Sequence, residues 1–100
     1  MIYRFSECEL DTSLYTLQRG GQTIRLRPKV FRVGLYLLEH RDRVVTRESL
    51  MSDVWDMNWF GSTKTLDVHV SWVRKKIEDD PAHPRYITTV RGVGLRFETA

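Results

Sequence analysis

No apolar run in this chain approaches the ~20 residues that a membrane-crossing helix requires, so a water-facing domain is expected. The start, MIYRFSECELD, lacks the basic-then-apolar build of a signal peptide. A single cysteine, Cys8, excludes an internal disulfide and fits a reducing cytoplasm. It stands between Glu7 and Glu9, whose charges disfavour a thiolate, so a structural role suits it better than a reactive one. There is no low-complexity tract and no internal repeat, and the composition is that of an ordinary globular domain. One hundred residues support one core and are too few for a cleft between two lobes. No Gly-rich loop opens a helix: Gly92-Val93-Gly94 falls inside a hairpin and reads as turn chemistry. His40, His69 and His83 are scattered over a helix end, a helix face and a turn, without a Ser or Cys partner and without metal-ligand spacing. Neither an enzyme nor a metal or cofactor site is expected.

What the chain does have is positive charge, unevenly spread. The net charge is only +3. Lys64 to Lys76 holds four cations against Asp67, and the last sixteen residues hold Arg85, Arg91 and Arg96 against Glu98. An acidic patch, Glu78-Asp79-Asp80, lies between them. Two basic segments brought to one face would make a footprint for a polyanion.

Residues Ile2 to Leu26 read as short strands. IYRF, ECEL, LYTLQR and TIRL carry β-branched and aromatic residues, Gly20-Gly21 marks a two-residue hairpin, and Asp11-Thr12-Ser13 marks a turn. Pro28 suits the first position of a helix that runs to about His40, with Phe31, Gly34 and Leu38 on its apolar face. Val44-Val45 is a short strand. Thr46 can cap a helix reaching about Trp55, although Ser49 stands where a full capping box has Glu or Gln. Asp56 to Gly61 breaks the periodicity, and Trp59 and Phe60 in that loop are either packed or exposed for a partner. Asp80-Pro81 and His83-Pro84 turn the chain, and YITTV and LRFE flank Arg91 to Gly94 as a hairpin.

The stretch from Ser62 to Ile77 organises the rest. As a helix it lines up Leu66, Val70, Val73 and Ile77 at i, i+4, i+7 and i+11, one stripe facing a core. Ser62 or Thr63 can cap its start, and Arg74, Lys75 and Lys76 suit its negative end. The remaining face offers cations, hydroxyls and an indole. Alone, that face fits a solvated surface helix as well as a rod laid in the major groove of DNA. The order of elements favours the second: an α+β winged helix-turn-helix over residues 1–100, with a four-stranded antiparallel sheet (1–26), a three-helix core (28–78), a recognition helix (63–78) and a wing hairpin (85–98).

Three segments, LRPKVFRVGLYLLEHRDRVVTRESLMSDVW, KTLDVHVSWVRKKIEDDPAHPRYI and TTVRGVGLRFE, resemble in order and spacing the OmpR/PhoB-type effector domain of two-component response regulators. The resemblance implies sequence-specific binding of double-stranded DNA in transcription regulation, on direct-repeat half-sites filled by two domains. It further implies a receiver domain N-terminal to this one and a loop, Asp56, Met57, Asn58, Trp59, Phe60 and Gly61, facing RNA polymerase. Carried over by position, Lys64, His69 and Arg74 would meet phosphates, Thr65, Asp67 and Val68 would lie near base edges, and Ser71, Trp72, Lys75 and Thr89 would complete the interface. Arg91 would enter the minor groove from the wing.

Trp72 and Ser71 stand where the family often has arginine or another polar reader, and an indole offers a single donor, so guanine readout there is not expected. Arg27 replaces a threonine cap, and Leu95 a wing tyrosine. The rival is a winged helix used only for protein contact. It predicts a neutral recognition face and a wing without arginines, against Arg74, Lys75, Lys76, Arg91 and Arg96.

Overall fold

The computed structural model describes residues 1–5, 7–55 and 64–98. Four strands, β1 (Ile2–Phe5), β2 (Cys8–Asp11), β3 (Thr16–Arg19) and β4 (Gln22–Arg25), form an antiparallel sheet in sequence order. Gly20 and Gly21 turn β3 into β4 at φ +57° and +84°, a left-handed pair that glycine adopts without a Cβ clash. Asp11 Oδ1 accepts the Ser13 amide at 2.8 Å, closing the preceding turn. Phe5, Cys8, Leu10 and Leu17 bury one face of the sheet on the helices.

Helix α1 (Pro28–Glu39) starts at Pro28, with Arg27 in an extended conformation and no side-chain cap, as the missing threonine implies. Strand β5 (Val44–Thr46) leads into α2 (Arg47–Trp55). There the Ser49 amide donates to Thr46 Oγ1 at 3.1 Å, and the Thr46 hydroxyl donates to Ser49 Oγ at 2.9 Å. Serine thus takes the far corner of the box in place of a glutamate. Helix α3 (Lys64–Ile77) buries the expected stripe: Leu66, Val70, Val73 and Ile77 are each 4 % exposed or less. Truncating such a side chain costs about 2–5 kcal/mol. Strands β6 (Ile87–Val90) and β7 (Gly94–Phe97) form the C-terminal hairpin.

The sequence did not show where β5 goes. It pairs antiparallel with β7, making a second sheet of order β5-β7-β6 with Thr46 opposite Gly94. That pairing explains Gly94. A Cβ there would overlap the Val45 carbonyl oxygen and crowd the Thr46 backbone. Only Gly92, at φ +75°, supplies the positive φ of the wing turn. The expectation that both wing glycines serve the turn is corrected: one turns the chain, and the other lets two strands approach.

The acidic patch is corrected too. Glu78 is 3 % exposed, and its carboxylate accepts the amides of Arg85, Tyr86 and Ile87 at 2.8 to 3.1 Å. A buried carboxylate is tolerable when donors surround it, and here they come from the base of the wing. Asp79 serves a second clamp: Arg19 of β3 reaches its Oδ1 at 2.5 Å and the Lys76 carbonyl at 3.1 Å, tying the N-terminal sheet to the end of α3.

Candidate nucleic-acid interface

Helix α3 buries one stripe, so every other position must face solvent or a neighbouring element. Lys64, Thr65, Asp67, Val68, Ser71 and Lys75 are exposed, and His69, Trp72 and Arg74 are half-buried at the edges of that face. The face is convex and about 21 Å long at 1.5 Å per residue, a size that a B-form major groove about 12 Å wide accepts. Val68 is 45 % exposed in its middle, an apolar spot suited to a thymine methyl.

Several side chains are held in place. The His69 ring nitrogen Nδ1 lies 2.7 Å from the Thr65 carbonyl oxygen, which leaves Nε2 directed outward. Its ring is edge-on to Trp55 at 5.0 Å and tilted against Trp72 at 5.1 Å, so two indoles fix its orientation. Asp67 is paired with Arg47 at the start of α2, 3.2 Å from Nε to Oδ1. It therefore presents an ion pair, rather than a lone carboxylate, to anything approaching.

Arg74 departs most from expectation. Its Nε and Nη2 donate to the Ile87 carbonyl at 3.0 and 2.8 Å, and Nη2 also donates to Thr89 Oγ1 at 3.2 Å. Burial pushes the Arg74 guanidinium pKa below its usual value, offset in part by the Glu78 charge. An arginine nonetheless stays protonated. Two of its three nitrogens are spent binding α3 to β6, so its main structural role is a tether between helix and wing. Thr89, also expected at the interface, is the other end of that tether. Arg96 is also engaged within the hairpin: its Nη2 meets Glu98 at 3.0 Å, and its Nε is buried without a hydrogen-bond partner among the described residues.

Arg91 behaves otherwise. It is exposed next to Gly92 at the tip of the hairpin, and it joins no ion pair among the described residues. The expected loop of Asp56, Met57, Asn58, Trp59, Phe60 and Gly61 lies outside the described residues, as do the two alternative caps expected for α3, Ser62 or Thr63. So the structure brings Lys64, Thr65, Val68, His69, Ser71, Trp72 and Lys75 onto one helix face, and Arg91 is exposed at the tip of the hairpin that Arg74 ties to that helix.

Sequence reasoning missed the side chains that frame this face. Arg47 reaches Asp67, Trp55 supports His69, and Arg27 places its guanidinium 5.6 Å from the Trp72 ring centre. Lys29 donates to the Val54 carbonyl at 3.0 Å and stands 5.5 Å from the Trp55 ring. None of these pairings has a local spacing, so no window along the chain reveals them. Among the described residues no helix is long and apolar enough to cross a membrane, and no group of His, Cys, Asp and Glu is arranged to hold a metal ion.

The family model for the C-terminal part of transcriptional regulatory proteins matches residues 21–97. The fold is similar to the DNA-binding domain of RstA from Klebsiella pneumoniae, solved in complex with the RstA box, at 25 % identity and a TM-score of 0.89, over 99 % of this chain and 98 % of that one. It is similar to the DNA-binding domain of CpxR from E. coli, at 25 % identity and a TM-score of 0.86, over 100 % of this chain and 98 % of that one. It also resembles DrrB, a response regulator and OmpR/PhoB homologue from Thermotoga maritima, at 38 % identity and a TM-score of 0.86. There the likeness covers 97 % of this chain but 44 % of DrrB.

Proposed function

The chain belongs to the family of transcriptional regulatory protein C-terminal domains, of the OmpR/PhoB winged-helix type, and from that membership and its geometry we propose that it regulates transcription by binding double-stranded DNA as the output module of a response regulator. The observation that carries the reading is a helix face of exposed polar and basic residues, tethered by Arg74 to a hairpin whose tip carries the exposed Arg91. The face of α3 enters the major groove. Lys64, Lys75 and His69 Nε2 meet phosphates, Thr65, Val68 and Ser71 lie against base edges, and Arg91 reaches the neighbouring minor groove, where narrow A-tracts favour a guanidinium. Asp67 contributes by fixing Arg47, and Arg74 with Thr89 by holding the wing at its angle to the helix.

A single module buries little area, so two domains on direct-repeat half-sites about one helical turn apart supply the affinity. A receiver domain on the N-terminal side controls that pairing, and RNA polymerase is met through residues 56–61. Work on chromosomal DNA places the domain in the cytoplasm, and the reading gives it no catalytic step.

The test is selection of a binding site from random duplex DNA, then titration of the recovered duplex across salt concentrations. With five to seven phosphate contacts per domain, log K should fall against log salt with a slope of roughly −5 to −6. A slope near zero, or equal affinity for every duplex, would contradict the proposal.

A further inference from the structure

Most contacts assigned so far lie on the outward face of α3 or beside the wing, with Thr65 and His69 on the edge toward the opposite flank. The other flank carries a second set of cations drawn from distant parts of the chain. Arg25 ends β4, Arg27 precedes α1, and Lys76 sits in the last turn of α3. Together with Leu26, Val30 and Trp72 they line an open cavity of about 330 Å³, and that lining contains no acid. None of the three joins an ion pair among the described residues, whereas Arg47 and Arg19, on neighbouring surfaces, both do.

Arg27 rests on the Trp72 ring instead. A guanidinium held over an indole by cation–π attraction keeps its N–H groups for acceptors. That contact also lowers the entropy lost when those donors engage a ligand. Three like charges around one cavity repel each other, and an anion seated among them removes that repulsion.

The position of the cavity identifies the anion. Thr65, His69, Trp72 and Lys76 follow one another at i, i+4, i+7 and i+11 along α3, one continuous flank. Asp67 and Arg74 mark the opposite flank, turned toward Arg47 and the wing. A helix in a major groove has a sugar-phosphate backbone on each side of it. We infer that Arg25, Arg27 and Lys76 form a second phosphate-binding site, which grips the DNA strand on the side of the major groove away from the wing, with Trp72 holding Arg27 in place. This rests on the DNA-binding reading and adds a register-fixing contact that the outward face of α3 does not supply.

The experiment uses the duplex recovered by selection with the unaltered chain, beside a mixed-sequence duplex. Arg25→Ala, Arg27→Ala and Lys76→Ala remove solvent-facing charge and should leave the melting temperature unchanged. Each should weaken binding to both duplexes by roughly fivefold and flatten the salt slope by about one unit. Trp72→Ala should reproduce the Arg27→Ala loss, and Trp72→Phe, which keeps an aromatic face, should retain most of the affinity. Neutral methylphosphonates in the strand away from the wing should weaken the unaltered chain and have no further effect on an Arg25→Ala/Arg27→Ala variant. Salt slopes and affinities unchanged in all three single variants, with the unaltered chain binding well, would overturn the second site and leave the DNA-binding reading standing. An unaltered chain that selects no duplex would remove both.

Discussion

Both flanks of α3 carry cations, and they use them differently. On the wing side, Arg74 is bonded to Ile87 and Thr89, Asp67 to Arg47, and the buried Glu78 gathers three amides from the base of the hairpin. On the far side, Arg25, Arg27 and Lys76 surround a cavity whose lining holds no carboxylate among the described residues, and Arg27 lies over an indole. A cation whose donors are already taken sets the shape of the molecule. One whose donors remain open can meet an outside anion. The wing flank thus spends its charge on holding helix and hairpin together, and the sheet flank keeps its cations open.

The wing flank can be broken most severely at Gly94. Gly94→Val should cost about 3 kcal/mol or more of stability, because the branched side chain would be driven into the β5 backbone. Chemical denaturation measures it, and a loss below 1 kcal/mol would mean that β5 does not pack against β7 as described. Glu78→Gln should cost about 2 kcal/mol, since the new amide donor faces amides that need an acceptor. Its hairpin amides should also exchange with deuterium faster than those of the N-terminal sheet. Equal protection in both sheets would separate Glu78 from the wing.

Smaller effects sharpen the contrast within the wing. Arg91→Ala should leave stability within about 0.5 kcal/mol, as an exposed side chain in no ion pair among the described residues should. It should cost about 1–3 kcal/mol in DNA binding, more on A-tract-flanked sites than on G·C-flanked ones. Equal losses on both would make Arg91 a plain phosphate contact. Asp67→Asn should change stability by under ~1 kcal/mol, because its pair with Arg47 is solvent-screened. Its effect should appear in binding, where freeing Arg47 adds a cation and raises non-specific affinity.

What the sequence disclosed and what it hid follow one physical division. The apolar stripe of α3, the Gly20-Gly21 hairpin, the Pro28 helix start and the Thr46 cap are local, because each rests on residues within a turn or two of one another. The elements of the fold were therefore readable in order. The fate of β5 was not, since Thr46 meets Gly94 across 48 residues and nothing near either one marks the pairing. The same holds for charge. Arg74 and Arg91 look alike in sequence, and Glu78 looks like its exposed neighbour Asp79. Which one is spent depends on carbonyls and amides that the chain brings in from far away.

That contrast gives the most direct test. Arg74→Ala and Arg91→Ala should be measured together for melting temperature and for the salt dependence of binding to one selected duplex. The tether predicts that Arg74→Ala lowers the melting temperature, by the equivalent of about 1–2 kcal/mol, while changing the salt slope by less than half a unit. Arg91→Ala should melt as the unaltered chain does and flatten the slope by about one unit. The reverse pattern, with Arg74→Ala flattening the slope at an unchanged melting temperature, would make Arg74 a phosphate contact and contradict its role as the tether between helix and wing.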